Sequence, residues 1–145
     1  MATVLVVLGV VAAIVVPRHA AAIDRYRADG SAATLVAWLQ RERSAAMASG
    51  VHRRFVFDPA GNTCTLYSGS GATTVKLAAT DFGQGPYPCR LSFADFDGGS
   101  ELSFDPLGAS PAGGSIVLVR GRHVRTIAVG AGPDPTFQVI ASLLP

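Results

Sequence analysis

The sequence predicts an α+β fold: one long, kinked N-terminal helix followed by a small antiparallel β-sandwich-like domain. Three observations carry that expectation. Residues 4–16 hold no charged or polar side chain, and Gly9 is the one member that is not apolar. Residues 20–49 hold no Pro and one Gly, Gly30, and are rich in Ala, Leu and Arg, all strong helix formers. After Gly50 the pattern changes to short β-branched or aromatic runs separated by Gly- and Pro-rich turns.

The chain of 145 residues suits one domain of ordinary size. With 49% hydrophobic and 15% charged residues it is no disordered charged tail. A formal net charge of +2 leaves no broad nucleic-acid footprint. The 16 Gly and 9 Pro are too many for a helical bundle and suit strands joined by turns. The expected division is a helix over 1–50, with 1–17 as its membrane or filament-core part and 18–50 as its amphipathic part. A β-domain follows over 51–145.

The apolar run has three readings. The Val, Leu and Ile residues of 4–16 supply about −3 to −6 kcal/mol for membrane insertion. Thirteen helical residues nevertheless reach only about 20 Å, against a hydrocarbon core of about 30 Å. A secretory signal would need a basic start, which Met1-Ala2-Thr3 lacks, and Ala20-Ala21-Ala22 lies beyond Pro17 and Arg18. A buried core helix fits the length, and a membrane helix short of its first turn fits the composition. Pro17, followed by Arg18 and His19, closes the run and is expected to kink the axis.

Farther on, Ala32, Leu35, Val36, Leu39 and Ala46 share one helical face, opposite Arg27, Thr34 and Arg41. Arg43 falls inside the apolar stripe, where its stem would pack on the core with its head in water. Trp38 falls among polar residues, either under a loop or as an anchor against a neighbouring subunit. Gly50 supplies the left-handed stop. One helix over 2–49 would run about 70 Å, longer than a globule of this size covers. Its first part therefore calls for a membrane or sister copies, with Leu5, Val6, Leu8, Val11 and Val15 making the packing.

Eight strands are expected, at 51–58, 63–67, 73–78, 89–94, 101–104, 115–119, 124–129 and 136–141. The loops at 83–88 and 130–135 are expected to face outward. Cys64 and Cys89 stand in two of these runs without metal-ligand spacing. Outside the cytoplasm they would bridge neighbouring strands; otherwise they are two buried thiols.

No catalytic or phosphate-loop motif is present, and the chain reads as no enzyme, with no cofactor and no metal. His19, His52 and His123 are scattered. Asp95, Asp97 and Glu101, beside Gly98 and Gly99, form an acidic turn rather than a calcium loop. Arg120, Arg122 and Arg125, with His123, surround a turn at Gly121 and are candidate phosphate contacts, or else solvated edge residues.

Taken together, the apolar helix, the proline with a basic residue after it, the Ala-rich continuation and the β-domain resemble type IV pilin-like proteins. The C-terminal half is similar to the GspH/FimT-type minor pseudopilins. Residues 102–108 (LSFDPLG), 113–118 (GGSIVL) and 125–129 (RTIAV) match that family's F-x-P-x-G, G-G-x-I-x-L and R-x-I-x-V pattern through Phe104, Pro106, Gly108, Gly113, Gly114 and Arg125. The helix end from Ala45-Ala46 to Gly50, followed by Val51 and 55–58 (FVFD), is similar as well. The family begins with a leader, a Gly cleavage site, a methylated Phe and a nearby Glu. Counted back from Pro17, this chain is expected to begin about five residues inside the mature family helix.

The resemblance implies a structural subunit at or near the tip of a type II secretion pseudopilus, anchored by a single pass in a bacterial inner membrane. Its β-domain would lie in the periplasm. Implied partners are other pilin-like subunits, the inner-membrane assembly platform and membrane lipid. The alternative is a minor type IV pilus subunit, with nucleic acid as a further partner through the arginines.

Overall fold

The structure, a computed structural model, describes residues 2–144, with side chains described from residue 21 onward. Helix α1 (Ala2–Ser49) is followed by β1 (Arg53–Asp58), β2 (Thr63–Ser68), a short 3-10 turn (Gly71–Thr73), β3 (Val75–Asp81) and β4 (Arg90–Phe96). The chain continues through β5 (Glu101–Phe104), β6 (Gly114–Arg120), β7 (His123–Val129) and β8 (Phe137–Leu143). Every expected strand forms, with its ends moved by no more than three residues. The expected packing residues Leu5, Val6, Leu8, Val11, Val15 and Pro17, and the kink at Pro17, lie outside the described side chains.

The helix is built by its composition and by what its hydroxyls do. Thr34, Ser44 and Ser49 each donate back to the carbonyl four residues earlier, at 2.8, 3.0 and 2.7 Å. Their side chains thus stay within the helix and do not compete for its backbone. Gly50, at φ +65°, ends it. Ala28, Ala32, Leu35, Leu39, Glu42 and Ala46 are buried at alternating spacings of four and three, one stripe facing the sheets.

Two four-stranded antiparallel sheets follow, in the orders β3-β2-β1-β5 and β4-β6-β7-β8. Alternation along the strands fixes which side chains turn inward: Phe55 and Phe57 of β1, Leu102 and Phe104 of β5, Ile116 and Leu118 of β6, Ile127 and Val129 of β7. The two inner faces meet through aromatic contacts. Phe57 stacks on Phe96 with ring centroids 5.8 Å apart, and Phe104 meets Phe137 edge-on at 6.3 Å. α1 lies against β1, β6 and β7.

Two turns show how local chemistry fixes register. Asp97 and Gly98 both have positive φ, +51° and +84°, between Phe96 and Gly99, the two-residue hairpin turn that Asp-Gly favours. Asp95 caps it by accepting the Gly98 amide at 3.0 Å. Asn62, at φ +55° in the β1–β2 turn, accepts the Leu91 amide at 2.7 Å and donates to the Cys89 carbonyl at 3.2 Å. One turn residue therefore ties the first sheet to the second.

The expected Cys64–Cys89 bridge between neighbouring strands is corrected: both cysteines are free and buried. Cys64 lies in β2 of the first sheet and Cys89 in the loop just ahead of β4 of the second, so the two are not strand neighbours. The Cys89 sulfur instead sits 2.8 Å from the Ser31 hydroxyl on α1.

Candidate functional site

The chemistry-bearing residues converge where α1 meets the β6–β7 hairpin. Gly121, at φ +57°, makes a tight turn that sets Arg120 opposite His123 and aims β7 along the helix. Arg120 Nε donates to Asp24 Oδ1 at 3.0 Å, and Arg125 Nε donates to Asp29 Oδ1 at 2.5 Å. His123 Nε2 lies 3.1 Å from the Ala21 carbonyl oxygen. Three successive contacts thus fasten the stretch of helix from residue 21 to 29.

Burial differs along this seam. Arg125 is 4% exposed and also donates to the Val124 carbonyl at 2.8 Å, whereas Asp24 and Arg120 each keep about a third of their side chains in water. A hydrogen bond from Arg125 holds the Asp29 carboxyl below its ordinary value of 3.8, against the opposing effect of burial; the charges of Arg125, Arg25 and His123 add to the lowering.

The three candidate phosphate contacts are not left as one free cluster. Arg120 and Arg125 turn to helix carboxylates, and Arg122 alone is exposed, near the Leu144 carbonyl at 3.3–3.4 Å. Two of the three charges are neutralised within the chain, which removes the clustered field that phosphate binding needs.

Beyond residue 40 a second clasp appears. Arg43 Nε donates to the Gly108 carbonyl at 2.8 Å, and its Nη2 donates to Asp134 Oδ1 at 2.8 Å. The sequence reading put this guanidinium in water; it instead joins α1 to two loops, because both loops present acceptors over that face. Trp38 shares a cleft with the 84–87 loop. Half-buried, it packs edge-on against Phe55 of its own chain with centroids 5.0 Å apart.

In the 83–88 loop, expected to face outward, residues Gly83 to Pro86 are exposed, while Tyr87 is drawn onto the helix. Tyr87 lies over Gly30, where a Cβ would fall 2.6 Å from the ring, and its hydroxyl is 3.4 Å from that of Tyr26. Gly30 of α1 is thus the seat of the loop. Between α1 and β3 opens a cleft of about 760 Å³, lined by Trp38, Arg41, Asp81, Phe82 and Tyr87 among others. It gathers no nucleophile–base pair. Among the described residues no cluster of His, Cys, Asp and Glu is arranged to hold a metal.

The six motif residues now have physical roles. Phe104 is fully buried against Phe55. Asp105 accepts the amides of Leu107 and Ala109, which leaves half-buried Pro106 and then Gly108, at φ +80°, to complete the turn. A Cβ at Gly108 would fall 2.7 Å from Met47 Sδ, so the helix rests on it. Gly113 and Gly114 admit close backbone approach: a Cβ at 113 would meet Ala131 N at 3.0 Å, and one at 114 would meet the Asp95 carbonyl oxygen at 2.0 Å. Arg125 is the buried clasp to Asp29.

Sequence reasoning missed Asp24, Asp29 and the role of Arg43. Asp24, Asp29 and Glu42 are the three acids of the helix, but nothing local marks which arginine each one meets.

Among the described residues no helix is long and apolar enough to cross a membrane, and residues 4–16 are not among those with described side chains. No family model and no curated protein matches the sequence. The structure is similar to the crystal structure of the type IV minor pilin FimU of Pseudomonas aeruginosa, with a TM-score of 0.54 and 15% identity over 79% of this chain and 90% of that one. At this identity the fold is what is shared, and it agrees with the arrangement described above: one long N-terminal helix clasped to two antiparallel sheets, a type IV pilin-like fold.

Proposed function

We propose that this chain is a minor pseudopilin, a structural subunit at or near the tip of a type II secretion pseudopilus. In this reading its helix stands in a bacterial inner membrane before assembly, and its β-domain lies on the periplasmic side. The observation that carries the reading is the length of α1. Its 48 residues correspond to about 72 Å. The buried helix residues described, Ala28 to Ala46, account for only about 27 Å of it. The apolar sequence of 4–16 then needs a second apolar environment: lipid before assembly, sister helices after it. These two environments are close in polarity, so exchange between them can be driven by a motor at modest cost.

The match of Phe104, Pro106, Gly108, Gly113, Gly114 and Arg125 to the GspH/FimT pattern supports the pseudopilin reading. The fold shared with a type IV minor pilin supports a second one, a minor subunit of a type IV pilus. DNA contact through Arg120, Arg122 and Arg125 is not carried forward, since Arg120 and Arg125 are paired with Asp24 and Asp29.

A photo-cross-linker at Val11 in the full chain, expressed in its own host, tests the assembly reading: it should capture other pilin-like subunits from the inner-membrane fraction. Recovery as an uncross-linked, freely soluble monomer would sink it. Deleting the gene separates the two machines. Lost exoprotein secretion with intact pili assigns the pseudopilus, and the reverse assigns the pilus.

A further inference from the structure

Strand β3 ends the first sheet, with β2 on one side and, among the described residues, no strand on the other. None of its seven residues is buried. Its register to β2 is regular from Asp81 back to Ala78 and then skips Leu77. Lys76 and that bulge guard the first half of the edge, whereas residues 78–81 border the cleft beside α1. Strand alternation puts Ala78 and Thr80 on the inner face with buried Leu66 and Cys64, and Ala79 and Asp81 on the outer face. The cleft meets all four, so it wraps the free edge and does not sit over one face. Among the described residues, Ala78, Ala79 and Thr80 make no backbone hydrogen bond outside the ladder to β2. Their outward N–H and C=O groups await a partner.

The opposite wall is α1, through Ser31, Thr34, Leu35, Trp38 and Arg41. From Ser31 to Arg41 the helix covers about 15 Å, the length of about four or five strand residues. Contacts fix the two ends. Trp38 packs on Phe55, which shares a cross-strand row with Leu66 and Ala78. Ser31 meets Cys89, whose amide donates at 2.7 Å to the carbonyl of Phe82, the residue after Asp81. Helix and strand therefore run in opposite directions, with Arg41 at one end of the cleft and Asp81 at the other. The Arg41 side chain is 72% exposed. Asp81 is exposed and joins no ion pair among the described residues. Leu35, Trp38, Ala78 and Phe82 make the middle apolar.

We propose that this cleft takes up one extended segment of a partner polypeptide, added to β3 as an antiparallel strand. Main-chain bonds to residues 78–80 hold it, and the two walls select its side chains. Those side chains alternate as β3's do. The one opposite Asp81 faces outward and is basic. The two opposite Thr80 and Ala78 face α1 and are apolar. The next to face inward lies past the bulge, needs no pairing there, and is an acid that reaches Arg41. The base comes before the acid in the partner's sequence, because the added strand runs from the Asp81 end to the Arg41 end.

The test is NMR titration of the full chain in non-ionic detergent with the capped hexapeptide K-V-T-V-T-E. Saturable shifts are expected at the amides of Ala78, Ala79 and Thr80 and at the Trp38 indole. The capped peptide E-V-T-V-T-K has the same composition and net charge and should bind several-fold more weakly. K-V-T-V-T-E N-methylated at its four central residues keeps the side chains, loses the amides and should give no saturable shift. Arg41→Gln should bind both charge orders and lose most of the preference between them. Ala37→Trp, at an exposed helix position lining the cleft, should weaken binding about tenfold with melting unchanged. Saturation by the N-methylated peptide, equal affinity for the two charge orders, an unchanged preference in Arg41→Gln, or no saturable shift with K-V-T-V-T-E would overturn the proposal.

Discussion

Arg125 and Asp29 illustrate why a single position matters here beyond its charge. Arg125 is buried, so removing its partner strands a guanidinium out of water, whereas the Asp24–Arg120 pair is partly solvated on both sides. Asp29→Asn should therefore cost about 1–3 kcal/mol, and Asp24→Asn about 0.5 kcal/mol, in denaturant melts. Because the native Asp29 carboxyl is held below 3.8, its contribution is complete above that pH. It is lost as the pH falls through the lowered native value, and the Asp29→Asn variant should lack that part of the acid transition.

The glycines invite a comparison of magnitudes. A methyl at Gly114 meets backbone at 2.0 Å, which cannot swing away, whereas Gly50 has nothing within 4 Å. Gly114→Ala should cost at least about 3 kcal/mol, against about 1 kcal/mol for the conformational strain of Gly50→Ala. Equal losses would show that packing at 114 is looser than described.

Burial pushes the Cys64 thiol up to about 12. The unfolded thiol ionises near 9, so the native state binds the extra proton between those values, and stability should fall with rising pH there by at most about 1.4 kcal/mol per unit. At pH 8 a thiol reagent should label neither cysteine in the folded protein and both after unfolding. No labelling after unfolding would mean the two are bonded.

Among elements, β8 stands out as an edge strand without protection. Its seven residues carry no charge, pair with β7 in unbroken register and expose Val139, Ile140 and Leu143. The other edge strands are guarded: β3 by Lys76 and a bulge, β4 by Arg90 and a bulge, and β5 by being four residues long. Ile140→Lys should slow concentration-dependent association in light scattering while changing stability by no more than about 0.5 kcal/mol. The strands themselves were legible because alternation and Gly/Pro turns are local properties. Helix–loop clasps such as Arg43 to Gly108 and Asp134 were not, since their acceptors lie 65 and 91 positions away.

For the whole molecule, the described attachments of α1 to the sheets begin at Ala21. A chain lacking residues 1–20 should keep its stability within about 0.5 kcal/mol and lose any dependence on detergent. Failure of that shortened chain to fold would mean that the β-domain leans on the segment assigned here to lipid and sister helices.

The sequence by itself determined the order of elements, the eight strands, the helical stripe and the turn positions, because each rests on a period or a backbone preference set by a few neighbouring residues. Tertiary structure alone decided which charges meet. Arg120 and Arg125 read equally well as phosphate contacts or solvated edges until docking brought Asp24 and Asp29, each 96 positions away, within hydrogen-bond reach. It likewise set Cys64 in one sheet and Cys89 ahead of the other and, among the described residues, left the Arg53 Nε without an acceptor, for pairing depends on how faces pack, and no local pattern encodes that.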